Sequence, residues 1–253
     1  MLNQLVSWSC IALESVLLFR GLRSKLGSRY PAFYTYISFV LLQDLLCYFA
    51  FRWIHPLYTY IYWTTEFLCI LFSCGIVLEV YRVGLSAYPG TARITRKVLG
   101  LVFAVALVKA LVSAANDPRW WLEATAKDVA GTLRAVQGIA IIALVSLFLF
   151  YAIPFGRNLR GILVGYGLFV CWTVICLTLS SSVGDNVHAF LKNLYQVSYP
   201  VFLVFWLVHL WSYQTNPASE VEVPLEREYE RIAAATRRRL HDVRGQLAKV
   251  VGS

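Results

Sequence analysis

Two acidic and two basic side chains lie inside long apolar stretches of the sequence, where an ionised group is costly. They are Asp44, Glu66, Lys109 and Arg134. If each stretch is a helix with a rise of about 1.5 Å per residue, all four lie about 8 to 14 Å below the same boundary of the apolar layer. An isolated charge at that depth in lipid costs several kcal/mol, so we expect these side chains to pair. Lys109 is predicted to pair with Asp44 or Glu66.

Three further polar residues belong to this charged layer. Gln137 and Gln196 lie about 12 and 14 Å from the same boundary, and Glu14 lies deeper, near the middle of its stretch. The candidate ligand or ion site therefore consists of Glu14, Asp44, Glu66, Lys109, Arg134, Gln137 and Gln196. Two interpretations stay open: an internal network that fixes helix packing, or the floor of a pocket or ion path.

Seven apolar runs position these residues. They cover residues 3–19, 31–51, 57–81, 98–115, 129–153, 161–182 and 187–212. Hydrophobic residues make up 58% of the chain and charged residues 15%, whereas soluble domains are about 45–50% apolar. A helix of about 20 residues crosses a membrane core, and the short alternating strands of a membrane β-barrel are not seen. The sequence therefore predicts an all-α polytopic membrane protein with seven transmembrane helices.

The basic residues predict how these helices are oriented. Seventeen Lys and Arg residues lie in the first, third and fifth connections and in the C-terminal tail, and four lie in the other connections. Because cytoplasmic segments retain Lys and Arg, we expect the N-terminus outside and the C-terminus inside, in the cell inner (plasma) membrane. The net charge of +9 is then mainly a topology signal, and we expect the lipid bilayer, not nucleic acid, as a partner.

Residues with metal or hinge chemistry are sparse. The six cysteines all fall within apolar runs and no pair has zinc-ligand spacing with a histidine. His188 and His209 stand alone near the two ends of the last run, so we expect no metal site and no cofactor. Pro200 follows Tyr199 near the middle of that run and predicts a helix kink there.

The transmembrane domain is predicted to cover residues 1–213, followed by a linker at 214–223 and a charged tail at 224–253. Apolar residues recur every three or four positions from Leu225 to Val250, which predicts an amphipathic helix over about 224–250. We expect this tail to contact anionic lipid, a cytoplasmic protein or a second copy of the chain. The interaction residues proposed for it are Arg237, Arg238, Arg239, His241 and Arg244.

Two short stretches of the tail carry a resemblance to a known family. The sequences Glu-Tyr-Glu-Arg-Ile-Ala at 228–233 and Arg-Leu-His-Asp-Val-Arg-Gly-Gln-Leu at 239–247 resemble the phosphoacceptor helix of one class of bacterial histidine kinase. The resemblance implies a phosphoacceptor role for His241 and an acid/base role for Asp242. The two stretches are farther apart than in that family, and neither a second dimerisation helix nor an ATP-binding domain follows. We therefore expect no autokinase activity and no catalytic residues.

The function predicted from these features is a receptor-like sensory or signalling membrane module without a catalytic domain. An odd number of helices, an outside N-terminus, a polar layer and a cytoplasmic helix are typical of such sensors. An opsin would need a lysine near the middle of the last run, where this chain has Pro200. Two alternatives stay open: a small transporter or channel with Asp44, Glu66 and Lys109 along its path, and a non-catalytic accessory subunit.

Overall fold

A computed structural model describes residues 2–85, 89–115, 122–150, 156–182, 185–214, 231–232, 234–236 and 238. Within this part of the chain no strand is present, and a single 3-10 turn, His55–Leu57, connects the third and fourth helices. The α-helices are α1 Leu2–Arg23, α2 Leu26–Arg29, α3 Pro31–Trp53, α4 Tyr58–Gly84, α5 Pro89–Ala115, α6 Leu122–Phe150, α7 Arg157–Ser182 and α8 Asp185–His209. The prediction of an all-helical chain is confirmed.

Among the described residues, four helical segments are long and apolar enough to cross a membrane: Gln4–Arg23, Pro31–Trp53, His55–Gly84 and Arg157–Cys176. Shorter apolar stretches lie in α6 and α8, at Gly131–Ser146 and Leu194–His209. Each of the seven apolar runs coincides largely with one long helix. The membrane class is therefore supported, whereas the crossing of the membrane by all seven long helices stays a prediction.

Six of the long helices form a closed ring. Each packs against its neighbours in the order α1, α3, α4, α6, α7 and α8, and α8 returns to α1. α5 packs against α4 and α6, on the outside of this ring. The ring therefore encloses an interior that α5 does not border, and this arrangement decides which polar side chains meet.

The first turn of α3 is capped by an acid from α4. Pro31 lacks a backbone N–H, and the N–H groups of Ala32 and Phe33 donate to Oε1 and Oε2 of Glu79, each at 2.9 Å. These bonds satisfy two donors that have no partner within the helix, and they place a carboxylate at its positive end. Glu79 therefore fixes the start of α3 against α4.

Small residues let α7 and α8 approach closely. A Cβ added at Gly165 would overlap the indole of Trp206, and one added at Gly161 would overlap the side chain of His209. Trp206 is completely buried, with its ring 5.4 Å from that of Phe33 and 6.2 Å from that of Phe169. The indole thus links α3, α7 and α8 in one aromatic core.

Candidate ligand-binding cavity

The ring encloses a cavity of about 270 Å³. This volume far exceeds the roughly 10–15 Å³ that one water molecule needs. All six ring helices contribute lining residues, and none of these residues belongs to the described part of α5. Five residues of the predicted charged layer line the cavity: Asp44, Glu66, Arg134, Gln137 and Gln196.

An ion pair between α4 and α6 forms part of the cavity wall. Nη2 of Arg134 donates to Oε1 of Glu66 at 2.8 Å, and the two side chains are 15% and 21% exposed. The amide of Gln43 donates to the other oxygen of Glu66 at 3.4 Å, and the thiol of Cys69 donates to Oε1 of Gln43 at 2.7 Å. Burying two charges costs free energy that close pairing must offset, so each member of this pair depends on the other.

A second polar network joins α4, α6 and α7. Gln137 is completely buried, and its Nε2 donates to Oγ of Ser73 at 2.8 Å and to Sγ of Cys74 at 3.1 Å. The hydroxyl of Tyr166 donates to Oε1 of Gln137 at 2.9 Å. Both ends of the amide are therefore satisfied, as a buried amide requires. This network fixes the cavity wall next to the ion pair.

Asp44 has a different environment from Glu66. It lines the cavity from α3 and is half-buried, and no residue in the described part of the chain forms a hydrogen bond or an ion pair with its carboxylate. Gln196 lines the cavity from α8 and is also half-buried. The cavity thus contains one paired and one unpaired carboxylate.

Glu14 lies next to the cavity, joined to it by a tyrosine. Its side chain is completely buried, and Oε1 accepts a hydrogen bond of 2.8 Å from the hydroxyl of Tyr199. Oε2 of Glu14 has no hydrogen-bond partner in the described structure. Tyr199 also lines the cavity and directly precedes Pro200 in α8. The contact therefore connects α1, the cavity and the position where α8 lacks a backbone donor.

Lys109 lies outside this group of residues, and its predicted pairing with Asp44 or Glu66 is wrong. Its side chain is exposed on α5 beside exposed Val105, Val108 and Val112, and Glu66 is paired with Arg134 instead. The physical reason is that depth along a helix does not specify which face a residue occupies. Lys109 lies six residues before the end of α5 at Ala115, and a long side chain on an outward face needs no partner inside the bundle.

The residue that holds the C-terminal end of α8 was not predicted from the sequence. Asn158 of α7 is completely buried and donates through Nδ2 to the carbonyls of His209 at 3.1 Å and Ser212 at 2.8 Å. The backbone N–H of Gln214 donates to Oδ1 of Asn158 at 2.7 Å. One asparagine therefore satisfies the final carbonyls of α8 and the segment after it. The sequence offered no signal for this role, because Asn158 stands alone between basic residues.

An arginine of α1 holds the same segment. Nη2 of Arg20 donates to the carbonyl of Trp211 at 2.7 Å, and its guanidinium lies 4.2 Å from the centroid of the Trp211 ring. Together with Asn158, this residue fixes the exit of α8 at 209–214. We call this segment the α8 exit.

Comparison with protein-family models, curated proteins and solved structures gives no match.

Proposed function

We propose that the chain is a seven-span membrane protein that senses a small molecule in its cavity and transmits the signal through α8 to the cytoplasm. The observation that carries this proposal is the double role of α8. Tyr195, Gln196 and Tyr199 of α8 line the cavity, and the same helix ends in the α8 exit, which leads to the tail. A ligand that displaces these side chains acts directly on the helix that precedes the tail.

The proposed topology places the cavity toward the outside. Most of the lining residues from α1, α4, α6 and α8 lie in the first half of their helix, and Ser73, Gln137 and Tyr199 lie just past the middle. These four helices begin at the end that is poor in basic residues. Arg20 and Arg157 lie at the opposite end, beside the α8 exit. Because cytoplasmic segments retain basic residues, the cavity then faces the external side and the α8 exit faces the cytoplasm.

Pro200 supplies the mechanical element of the proposal. It lies between the cavity residues of α8 and the α8 exit, and it removes one backbone hydrogen bond from the helix. We propose that the helix moves between two arrangements at this point, and that a ligand shifts the balance by its differential affinity for them. The Tyr199–Glu14 bond holds the helix directly before the weak point.

The tail is the proposed output. Of its residues the structure describes 231–232, 234–236 and 238, which are helical and exposed. The other tail positions proposed for interaction, Arg237, Arg239, His241 and Arg244, lie outside the described residues, as does most of the 214–223 linker. We propose that this helix contacts anionic lipid, a cytoplasmic protein or a second copy of the chain at the inner membrane.

A cysteine introduced at Ala234 tests the coupling, because the six native cysteines are buried or half-buried in the ring helices. In the full chain reconstituted in vesicles, Pro200→Ala and Tyr199→Phe should each change the rate at which this cysteine is alkylated. Gly100→Ala on α5, where an added methyl group meets nothing within 4 Å, is the control and should leave the rate unchanged. If Pro200→Ala and Tyr199→Phe leave the alkylation rate as unchanged as Gly100→Ala does, the proposed path through α8 is contradicted.

Transport is the second candidate function, and Glu14 is the observation that favours it. A fully buried carboxylate with one unpartnered oxygen next to a polar cavity is typical of proton and ion paths. Asp44 and Glu66 then line the path, whereas Lys109 does not. A flux of protons or cations into proteoliposomes that Glu14→Gln abolishes would support transport and contradict a purely sensory role.

A further inference from the structure

We infer that the cavity binds an organic ammonium ion, with the carboxylate of Asp44 as its counter-ion. The inference rests on the proposed function, because it names the ligand class of the same cavity. Three observations carry it: the charge balance of the cavity wall, the absence of a cation beside Asp44 in the described structure, and the aromatic lining.

The charge balance leaves one carboxylate uncompensated. The lining contains three formally charged side chains, those of Asp44, Glu66 and Arg134. Arg134 and Glu66 neutralise each other at 2.8 Å, so the formal charge of the cavity is that of Asp44. A carboxylate inside an apolar bundle is costly unless a cation or hydrogen-bond donors compensate it. A positively charged ligand would supply that compensation.

No basic side chain in the described structure supplies this cation. Arg134 is engaged by Glu66, and Lys109, at a similar depth, is exposed on α5 outside the ring. The same engagement argues against an anionic ligand, because the guanidinium in the wall already has its carboxylate. The cavity therefore has an open position for positive charge and none for negative charge.

The remaining lining favours an organic cation over a metal ion. Six aromatic side chains line the cavity: Tyr36, Tyr62, Tyr166, Phe169, Tyr195 and Tyr199. Aromatic faces attract ammonium groups and recognise quaternary ammonium in particular. Metal ions instead need several oxygen, nitrogen or sulfur ligands, and the described residues contain no group of three His, Cys, Asp or Glu side chains placed to hold one. The volume of about 270 Å³ suits a small organic molecule.

Three probes of similar shape and different charge test the inference. Tetramethylammonium is positive, tert-butanol is neutral and pivalate is negative, and each is added to the purified full chain in detergent at constant ionic strength set with sodium chloride. Binding is measured by titration calorimetry and by the tryptophan fluorescence of thermal unfolding. We expect tetramethylammonium to bind and the other two to bind at least about tenfold more weakly, because neither gains the ionic and cation–π attraction.

Variants at Asp44 locate the binding. Asp44→Asn keeps the shape of the side chain and should weaken tetramethylammonium binding by about ten- to a hundredfold. Asp44→Glu keeps the charge and should retain binding within a few-fold. Lys109→Gln changes one charge at a similar depth outside the cavity and should have no effect. The unfolding temperature of each variant without probe shows that it is folded.

Three outcomes would overturn the inference: no binding of tetramethylammonium, equal binding of all three probes, or undiminished binding by Asp44→Asn. The alkylation rate of the cysteine introduced at Ala234 distinguishes a failure of the ammonium assignment from a failure of the proposed sensing function. If pivalate or tert-butanol binds and changes the alkylation rate, sensing stands and the ammonium assignment fails. If tetramethylammonium binds through Asp44 with no change in that rate, the assignment stands and sensing through α8 fails.

Discussion

Arg134 and Lys109 lie on neighbouring helices at similar predicted depths, yet their surroundings are opposite. Arg134, on α6, belongs to the ring and lines the cavity, where it pairs with Glu66 at 2.8 Å. Lys109, on α5, is exposed beside Val105 and Val108. The difference shows that a charge in an apolar helix has two solutions: pairing inside the bundle, or an outward face from which a long side chain reaches polar surroundings.

This contrast extends to the two helices as a whole. α6 contacts α4 on one side and α7 on the other, so a large part of its surface is enclosed. α5 contacts α4 and α6 from outside the ring and exposes Leu101 and Val102 in its middle. Substitutions in the ring should therefore disturb packing and polar networks, whereas substitutions on the outer face of α5 should disturb little.

The largest expected effect is that of Arg134→Ala. It leaves the carboxylate of Glu66 buried without its partner, and such a change typically costs about 3–5 kcal/mol. We expect a loss of this size in the free energy of unfolding, measured by titration with sodium dodecyl sulfate in mixed micelles.

The double variant Arg134→Ala/Glu66→Gln is the control for this interpretation. Removing the second charge should restore part of the stability, because the penalty comes from the unpaired carboxylate. If the losses in unfolding free energy of Arg134→Ala and Glu66→Gln add up to that of the double variant, the ion pair does not couple α4 and α6 energetically.

Gly165→Ala is the next test of the ring. The added methyl group would overlap the buried indole of Trp206, so α7 and α8 must move apart. Overpacking of this kind typically costs about 1–3 kcal/mol. The same unfolding titration measures the loss, and a stability equal to that of the unsubstituted chain would mean that α7 and α8 do not pack as closely as described.

Depth along the apolar runs groups residues that meet in one cavity, but it does not select all of them correctly. Hydropathy and helical rise suffice to place Asp44, Glu66, Arg134, Gln137 and Gln196 at one depth, and all five line the cavity. Neither property specifies the order in which helices pack or the face that each turns inward, because an apolar helix in lipid buries its surface equally well in several orientations. Lys109 was therefore assigned to the layer although α5 lies outside the ring.

The contacts of Glu79 and Asn158 could not be predicted from the sequence for a related reason. Each side chain satisfies backbone groups of a different helix: Glu79 caps α3 from α4, and Asn158 holds the α8 exit from α7. Capping signals are readable only when the cap and the capped turn are adjacent in sequence. Caps supplied across a bundle become visible only with the tertiary arrangement.

Gly100→Ala on α5 is expected to be stabilising. A Cβ at this position meets no atom within 4 Å, and glycine inside a helix is less favourable than alanine by about 0.5–1 kcal/mol. We expect a gain of up to that size in the unfolding titration. The same substitution is expected to lower the free energy of unfolding at Gly165 and to raise it at Gly100, so the difference reports the surroundings of each glycine. A loss of stability would show that this part of α5 faces another surface.

Lys109→Gln should have the smallest effect, within about 0.5 kcal/mol in the free energy of unfolding. The side chain is exposed and forms no ion pair in the described structure, so removing its charge leaves no buried group without a partner. An effect as large as that of Arg134→Ala would mean that Lys109 pairs with an acid outside the described contacts. Repeating the measurement over a range of protein concentrations would then decide between a second copy of the chain, for which the effect depends on concentration, and a contact within one chain, for which it does not.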